Sequence, residues 1–389
     1  MPTAQTASLS ATSSAAPSTR PSTGSVGSGR RPRLDSLTGL RWFAALAVFA
    51  FHTNQMGRVP KLQIPASYGD AGVAFFFILS GFVLAWSFSP DTPARVFYWR
   101  RFARIWPPLL VTTVLAFFGL QQTWHQAAKA VVLGLTLLLA WHPNTTLVGN
   151  PVAWSLSAEA FFYLLFPLVI RPILRARPAV LGVLAVSLVA LDIVFRKVSF
   201  DYYLPHHYDT FHALLLQWLP AYRALEFILG VVVAAVLIRG WRPRIPVGVA
   251  LAVLGLDVFV MWWAHYELWL GVSWTSQLLS PALALLILAA ALRDLSGKRS
   301  LLRTKPLLRL GEWSYCFYLI HATVIFGLSR YFPPPQGRPA WTNLGYDAVW
   351  LAIALVLSWM CYRFVEKPAE KWLRGRYGAR PAKTAPASA

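Results

Sequence analysis

Two ionisable side chains share the first long apolar stretch of the chain. In SLTGLRWFAALAVFAFH, residues 36–52, Arg41 and His52 are separated by ten residues, all of them apolar. Eleven steps of about 1.5 Å set the two roughly 16 Å apart along a helix, and eleven steps is close to three whole turns, so both leave nearly the same face. Ionisable groups in an apolar helix are costly unless they face a bundle interior or a wet cavity, where they serve a function. The alternative is an interfacial Arg41 that snorkels and a His52 at the far interface.

A second group lies in FYWRRFARIWPP, residues 97–108. Arg101 and Arg104 are three apart and so share a helical face, where two guanidinium forks can hold phosphate groups bidentately. A nucleotide-bearing cosubstrate suits them, as does a cluster that only sets topology. In WSLSAEAFFYLLFPL, Glu159 stands just inside an apolar stretch behind Trp154, Ser155 and Ser157. A carboxylate there needs a partner, such as a His on a neighbouring helix, or it is a first-turn charge favoured by the helix dipole. Ser80 and Gly81, midway along GVAFFFILSGFVLAWSF, are small enough for either a helix or a ligand to approach the backbone.

Composition dictates what must position these residues. The chain has 389 residues, 56% hydrophobic and 13% charged, too apolar for the surface of a soluble domain. The net charge of +21 is spread as short basic clusters between apolar stretches, which reads as membrane topology and excludes nucleic acid as the partner. Eighteen Trp and fourteen Tyr suit interfacial aromatic belts. The two cysteines, Cys316 and Cys361, lie in apolar stretches, so neither a disulfide framework nor a cysteine metal site is expected.

The fold class is therefore all-α, a polytopic transmembrane helix bundle. Stretches long enough to span lie near 36–53, 71–88, 105–120, 152–170, 178–195, 213–238, 245–264, 275–292, 312–329 and 344–362, ten in all. An eleventh, Ala127–Trp141, is short. With ten crossings the basic connections 95–104, 171–177, 239–244, 293–309 and 367–380 all fall on the inner side, so 127–141 is read as re-entrant or tucked within the bundle. Residues 1–33 are a Ser/Thr/Pro/Gly-rich basic tail and 374–389 a second basic tail, both expected to be disordered and cytoplasmic around a membrane domain at 34–373. The first apolar stretch lacks a small-residue cleavage pattern and is expected to be retained as a span.

RLDSLTGLRWFAALAVFAFH, GVAFFFILSGFVL, FYWRRFARIWP, WSLSAEAFFYLLFPL, PAYRALEFILG, LGEWSYCFYLIH and YRFVEKP occur in this order over residues 33–373. In this the chain resembles the acyltransferase family 3 integral membrane O-acyltransferases, such as those acting on O-antigen, exopolysaccharide and macrolides. The resemblance implies a ten-helix bundle in the bacterial cell membrane. It implies transfer of an acyl group, acetyl first, from cytoplasmic acyl-CoA to a hydroxyl of a glycan, lipid-linked sugar or small molecule. By the same resemblance Arg41 and His52 match the family's Arg and His of the first helix, Arg101 and Arg104 its arginine pair, and Glu159 the acid of its WSLS motif. Thr38 and Ala160 stand where many members carry further acids. No hydrolase-like domain follows, so any partner enzyme is expected to be separate.

Acyl transfer to a hydroxyl needs a base for that proton and a held thioester donor. His52 is expected as the base, with Glu159 orienting it; Arg41, Arg101 and Arg104 are expected to hold the donor. Ser80, Trp154, Ser155, Tyr315 and His321 are expected to line the cavity, His321 being equally readable as a buried, hydrogen-bonded ring. Arg223 and Glu226, three apart, are expected to neutralise each other. The crowded loop with Asp201, His206, His207, Asp209 and His212 meets no metal-ligand spacing, and no metal or permanently bound cofactor is expected. A transporter or a non-catalytic export partner could share the buried charges, but no repeated halves are evident.

Reporter fusions test the topology. Fusions at Gly57, Asn150, Tyr203, Glu267 and Gly337 are expected to report the outside, and fusions at Pro93, Leu174, Arg242 and Gly297 the cytoplasm. A cytoplasmic signal at Tyr203 overturns the count of ten and makes 127–141 a span.

Overall fold

Backbone placed in hydrocarbon must satisfy its N–H and C=O groups within its own segment, and the apolar stretches do so as helices. The computed structural model describes residues 31–56, 59, 62–121, 123–142, 144–203, 218–268, 276–334 and 340–377. Every helix considered below belongs to one unit, Pro32–Ala389. Among the described residues there are thirteen α-helices and no strand. They are α1 (Asp35–Met56), the short α2 (Gln63–Ser67), α3 (Ala71–Trp86), α4 (Ala94–Gly119), α5 (Trp124–Leu135), α6 (Trp154–Arg175) and α7 (Pro178–Tyr203). There follow α8 (Pro220–Ile238), α9 (Val247–Leu268), α10 (Ser280–Leu295), α11 (Lys305–Tyr331), α12 (Ala340–Cys361) and α13 (Lys367–Tyr377), the last two joined through a π turn at Tyr362–Glu366.

Five of the described helices are long and apolar enough to cross a membrane: α4, α6, the Pro178–Phe195 part of α7, α8, and the continuous Trp341–Arg376 segment. The chain is a multi-pass, all-helical membrane protein. Length and composition alone stop short of the ten crossings expected. α3 and the Val247–Trp263 part of α9 are apolar but shorter. α1 and α11, at 22 and 27 residues, have ample length but interrupt their apolar sequence with Arg41, His52 and Asn54 in one and Arg309, Glu312 and His321 in the other.

α5 has 12 residues, about 18 Å of helix, which is too short to span. Thr123 caps it by accepting the Gln126 N–H at 3.3 Å, while the Gln126 side chain accepts the Thr123 N–H at 3.0 Å. A 3₁₀ turn at Leu139–Trp141 then tucks Leu139 and Ala140 inside. At the other end of the chain, α13 continues to Tyr377, past the expected domain border at 373, with Glu370 and Arg374 paired at 2.5 Å. Residues 1–30 and 378–389 lie outside the described residues, as do His206, His207, Asp209, His212 and the side chain of Asp201.

α3 and α8 make the closest crossing. A Cβ on Gly81 would stand 1.9 Å from the Phe227 carbonyl oxygen, and one on Gly230 would stand 1.9 Å from that of Ile78. The two backbones touch, sealed by the fully buried Ile78, Phe82, Phe227 and Val231. Gly81 therefore serves helix packing. α8 is held in turn against α6, where Phe162 stacks on Phe227 at 4.9 Å.

Two contacts fix α1. Its N-terminus is tied to α10 by the Asp294 carboxylate, which accepts the Ser36 N–H at 2.7 Å and the Ser36 hydroxyl at 2.6 Å, favourably placed for the helix dipole. Its body lies along α11, with Trp42 edge-on to Phe317 at 5.2 Å and Phe49 against the same ring at 5.8 Å. α11 is itself pinned to neighbouring backbone: Asn150 Nδ2 donates to the Leu319 carbonyl at 2.7 Å, and the Tyr315 hydroxyl donates to that of Ile105 at 3.0 Å.

Gly81→Ala is expected to lower thermal stability in detergent by about 1–3 kcal/mol or more, because backbone rather than a movable side chain meets the new methyl. Gly182→Ala on α7, where nothing lies within 4 Å of the added Cβ, is the control and is expected to hold or slightly raise stability. Equal melting temperatures for the two variants refute the tight crossing.

Candidate functional site

α1 presents His52 to α11. The His52 Nδ1 atom lies 3.1 Å from His321 Nε2 and 3.0 Å from the carbonyl oxygen of Val48, one turn back on its own helix. His321 is fully buried, with its Nδ1 atom 2.7 Å from the Tyr318 carbonyl oxygen and 3.2 Å from that of Phe317. Phe49, Phe317 and Phe326 wall the two rings. His52 itself is half-buried. The acid expected to orient it lies elsewhere: Glu159 accepts from Ser80 Oγ at 3.4 Å and from the Tyr163 hydroxyl. The imidazole of His321 takes the place beside His52 that the sequence assigned to a carboxylate.

Glu159 belongs to a second cluster, around Arg41. The guanidinium of Arg41 feels the charges of Glu366 and Glu159 and the repulsion of Arg104. Arg104 in turn faces Tyr163, Glu159, Glu366 and Glu370. Arg101 sits 5.9 Å over the rings of both Phe97 and Tyr163 and feels Glu159, Arg104 and Arg374. Helix periodicity explains part of this grouping: Arg101 and Arg104 are three apart on α4, and Glu159 and Tyr163 four apart on α6. The rest comes from the end of the chain, where Trp99 Nε1 donates to the Leu373 carbonyl at 2.7 Å and so brings α13 and the π turn against α4. Arg41, Arg101 and Arg104 thus share Glu159, and Arg41 and Arg104 also share Glu366, while Glu370 is paired with Arg374. The Nε atoms of Arg41 and Arg101 are buried without a hydrogen-bond partner among the described residues.

Glu366, in the motif YRFVEKP, was not among the residues singled out by the sequence. It is buried and accepts the Cys316 thiol at 3.0 Å, and its charge reaches Arg41 and Arg104. The available signal was its position: it is the first acid after Asp347 in an apolar run. Tyr163 was also missed, although its spacing from Glu159 put it on the same face. Cys316 and Cys361 are both buried and free.

The remaining candidates divide. Ser80 joins the arginine cluster through Glu159, and Tyr315 lies within reach of the charges of Glu159, Glu366 and Arg104. Trp154 packs edge-on against Phe77, and Ser155 donates to the Val152 carbonyl at 3.0 Å. Arg223 and Glu226 form the expected ion pair at 2.9 Å, both buried, with the Arg223 guanidinium 5.1 Å over Phe77 and 5.8 Å over Trp154. Among the described residues no three His, Cys, Asp or Glu side chains are grouped to hold a metal ion.

Comparison with known proteins bears on this pair of clusters. Residues 34–363 match the family model described as an acyltransferase domain, Acyl_transf_3. The chain is 36% identical over 388 residues to the acyltransferase MdmB of Streptomyces mycarofaciens, a match covering 91% of this chain and 95% of that protein. It is 25% identical to the O-acetyltransferase OatA of Staphylococcus aureus and 23% identical to the peptidoglycan O-acetyltransferase OatA of Listeria monocytogenes, covering 87% and 88% of this chain. The chain spans little more than half of those two relatives, 57% and 56% of their lengths. No solved structure matches. With the family model matching residues 34–363, which include both clusters except the chain-terminal Glu366, Glu370 and Arg374, the chain belongs to the acyltransferase 3 family of membrane acyltransferases.

Proposed function

We propose that this acyltransferase moves an acyl group, acetyl first, from cytoplasmic acyl-CoA to a hydroxyl of a glycan, a lipid-linked sugar or a small molecule. The observation that carries the reading is the gathering of Arg41, Arg101 and Arg104, two of them with buried and unspent Nε–H groups. Guanidinium N–H groups left over in an apolar bundle call for an anion, and the phosphates of a nucleotide-bearing donor offer planar, bidentate acceptors. The acetyl choice follows the OatA relatives, which are named as O-acetyltransferases.

In this reading α1 is the rail between the two halves of the reaction. Arg41 helps hold the phosphates near the cytoplasmic side, and His52 stands about 16 Å further along the same helix, where the flexible arm of the donor brings the thioester. His52 takes the proton of the acceptor hydroxyl as its oxygen attacks the thioester carbonyl; the C–O bond forms, the C–S bond breaks, and the thiolate leaving as CoA recovers the proton. Glu159 and Glu366 keep the arginines in place by their charge, and Tyr163 and Ser80 fix the Glu159 carboxylate. Ser155, Trp154 and Tyr315 line the surrounding interior. The protein sits in the bacterial cell membrane with ten crossings, α5 not among them, and with both ends in the cytoplasm.

Membranes containing the full chain, supplied with acetyl-CoA, are expected to release CoA thiol above control membranes, with envelope glycans and water as acceptors. His52→Ala is expected to lower kcat by about 10²–10⁴ at unchanged KM for acetyl-CoA, the usual weight of a general base. No release by the parental membranes, or parental kcat in a well-folded His52→Ala protein, refutes the reading.

Arg101→Ala and Arg104→Ala are each expected to raise the KM for acetyl-CoA roughly 10- to 100-fold with kcat little changed, since charge-assisted hydrogen bonds of about 1.5–3 kcal/mol hold ground and transition states alike. Lys at either position restores only part, because it keeps the charge and loses the fork. An unaltered KM in both alanine variants removes the phosphate clamp.

A further inference from the structure

We infer that His321 is the positioning partner of His52: a second, neutral imidazole that fixes which nitrogen of His52 receives the substrate proton and accepts a hydrogen bond from the imidazolium that results. The inference rests on the reading of His52 as the base and adds how that base is set.

The argument is one of counting protons. A carbonyl oxygen has no hydrogen to give, so a ring nitrogen at hydrogen-bond distance from it must be the donor. His321 Nδ1 faces two such oxygens, at 2.7 and 3.2 Å, and therefore carries a hydrogen. His52 Nδ1 faces the Val48 carbonyl oxygen at 3.0 Å and carries one for the same reason. The two rings meet through His52 Nδ1 and His321 Nε2 at 3.1 Å. With a hydrogen already on His52 Nδ1, a second hydrogen on His321 Nε2 would set two donors head to head at that distance. His321 Nε2 is thus a lone pair, His321 is neutral, and the His52 Nδ1–H is shared between it and Val48.

One atom then remains. His52 Nε2 must hold the lone pair, and it has no hydrogen-bond partner among the described residues. It is the free base of the pair. When it takes a proton, the charge spreads over the ring to Nδ1–H, which already points at the lone pair of His321. The stabilising contact is in place before the charge exists, as preorganised electrostatic catalysis requires. The arrangement does the work of the carboxylate in a Ser–His–Asp triad, holding tautomer and orientation, with an uncharged group.

The rigidity of the pair is local to each helix. His52 bonds back to residue 48 and His321 bonds back to residues 317 and 318, so each ring is oriented by its own turn. The α1–α11 contact, through Trp42, Phe49 and Phe317, only has to bring the two turns together. Nothing in the pair requires Glu159, whose Oε1 atom accepts from both Ser80 and Tyr163. Asp347 of α12 faces Thr53, the neighbour of His52, and is not among the groups acting on the ring.

Two substitutions separate positioning from packing. His321→Leu keeps the volume and removes the acceptor. It is expected to cut kcat for acetyl-CoA turnover about 10²-fold or more at unchanged KM. His321→Gln places an amide oxygen near the position of Nε2 and is expected to recover kcat to within about tenfold of the parent. Both are measured in membranes with matched amounts of protein of parental melting temperature in detergent. A purely structural His321 predicts the reverse order, Leu tolerated and Gln not, and that result overturns the inference, as does parental kcat in His321→Leu. Loss of kcat in the Gln variant equal to that in the Leu variant also overturns it. If His52→Ala retains parental turnover, the reading of the base fails first. If His52→Ala is inactive while His321→Leu is fully active, only the inference about His321 fails.

Discussion

A guanidinium carried into an apolar bundle has to be answered by an opposite charge or withdrawn, and the architecture around α1 follows from that constraint. Arg41 lies inside the bundle because two separate parts of the chain bring it negative charge, α6 with Glu159 and the π turn with Glu366, against the repulsion of Arg104 on α4. None of these is its neighbour in sequence. The Trp99–Leu373 and Tyr315–Ile105 hydrogen bonds, which join α4 to α13 and to α11, set the positions at which those charges meet. Three arginines against two carboxylates is a grouping short of one negative charge. In the proposed function, that surplus positive charge is what the phosphates of the donor answer.

The sequence displays one half of this arrangement well. Charges in apolar stretches are rare, so Arg41, His52, Arg101, Arg104 and Glu159 stood out by type alone, and helical spacing correctly placed Arg101 with Arg104. Helical class, the shortness of 127–141 and the pairing of Arg223 with Glu226 were legible for the same reason: each depends on residues within a few turns of one another. The other half depends on how helices cross. His52 and His321 are 269 positions apart, and periodicity states which face each occupies but not which face it meets. Depth along a helix was the guide that placed Glu159 beside His52; the crossing of α6 with α3 and α4 gave it Ser80, Tyr163 and the arginines instead.

Small residues and motif ends mislead in a similar way. Gly81 was compatible with either a ligand or a helix at its backbone, and the choice lies in Gly230, a residue of α8 that leaves the matching gap. Glu366 is followed by Lys367 and Pro368, and a helix commonly stops just before a proline. The helix in fact continues through a π turn, and the extra residue in that turn aims an acid into the bundle where an unbroken α-helix would place it on another face.

The division of the carboxylates explains why an imidazole, and not an acid, stands beside His52. The carboxylates nearest the site have cations in their surroundings, Glu159 and Glu366 among the arginines and Glu226 on Arg223, while the buried Asp192 accepts from the Tyr222 hydroxyl. A further acid placed against His52 would have no cation until the ring was protonated, and an uncompensated charge in that apolar pocket of phenylalanines is the state the fold avoids. A neutral imidazole carries no such cost at rest and still offers a lone pair when charge develops. The same reasoning separates the two clusters along α1: ions are gathered around Arg41 and neutral rings around His52, the division that the proposed function assigns to holding a charged donor and moving a proton.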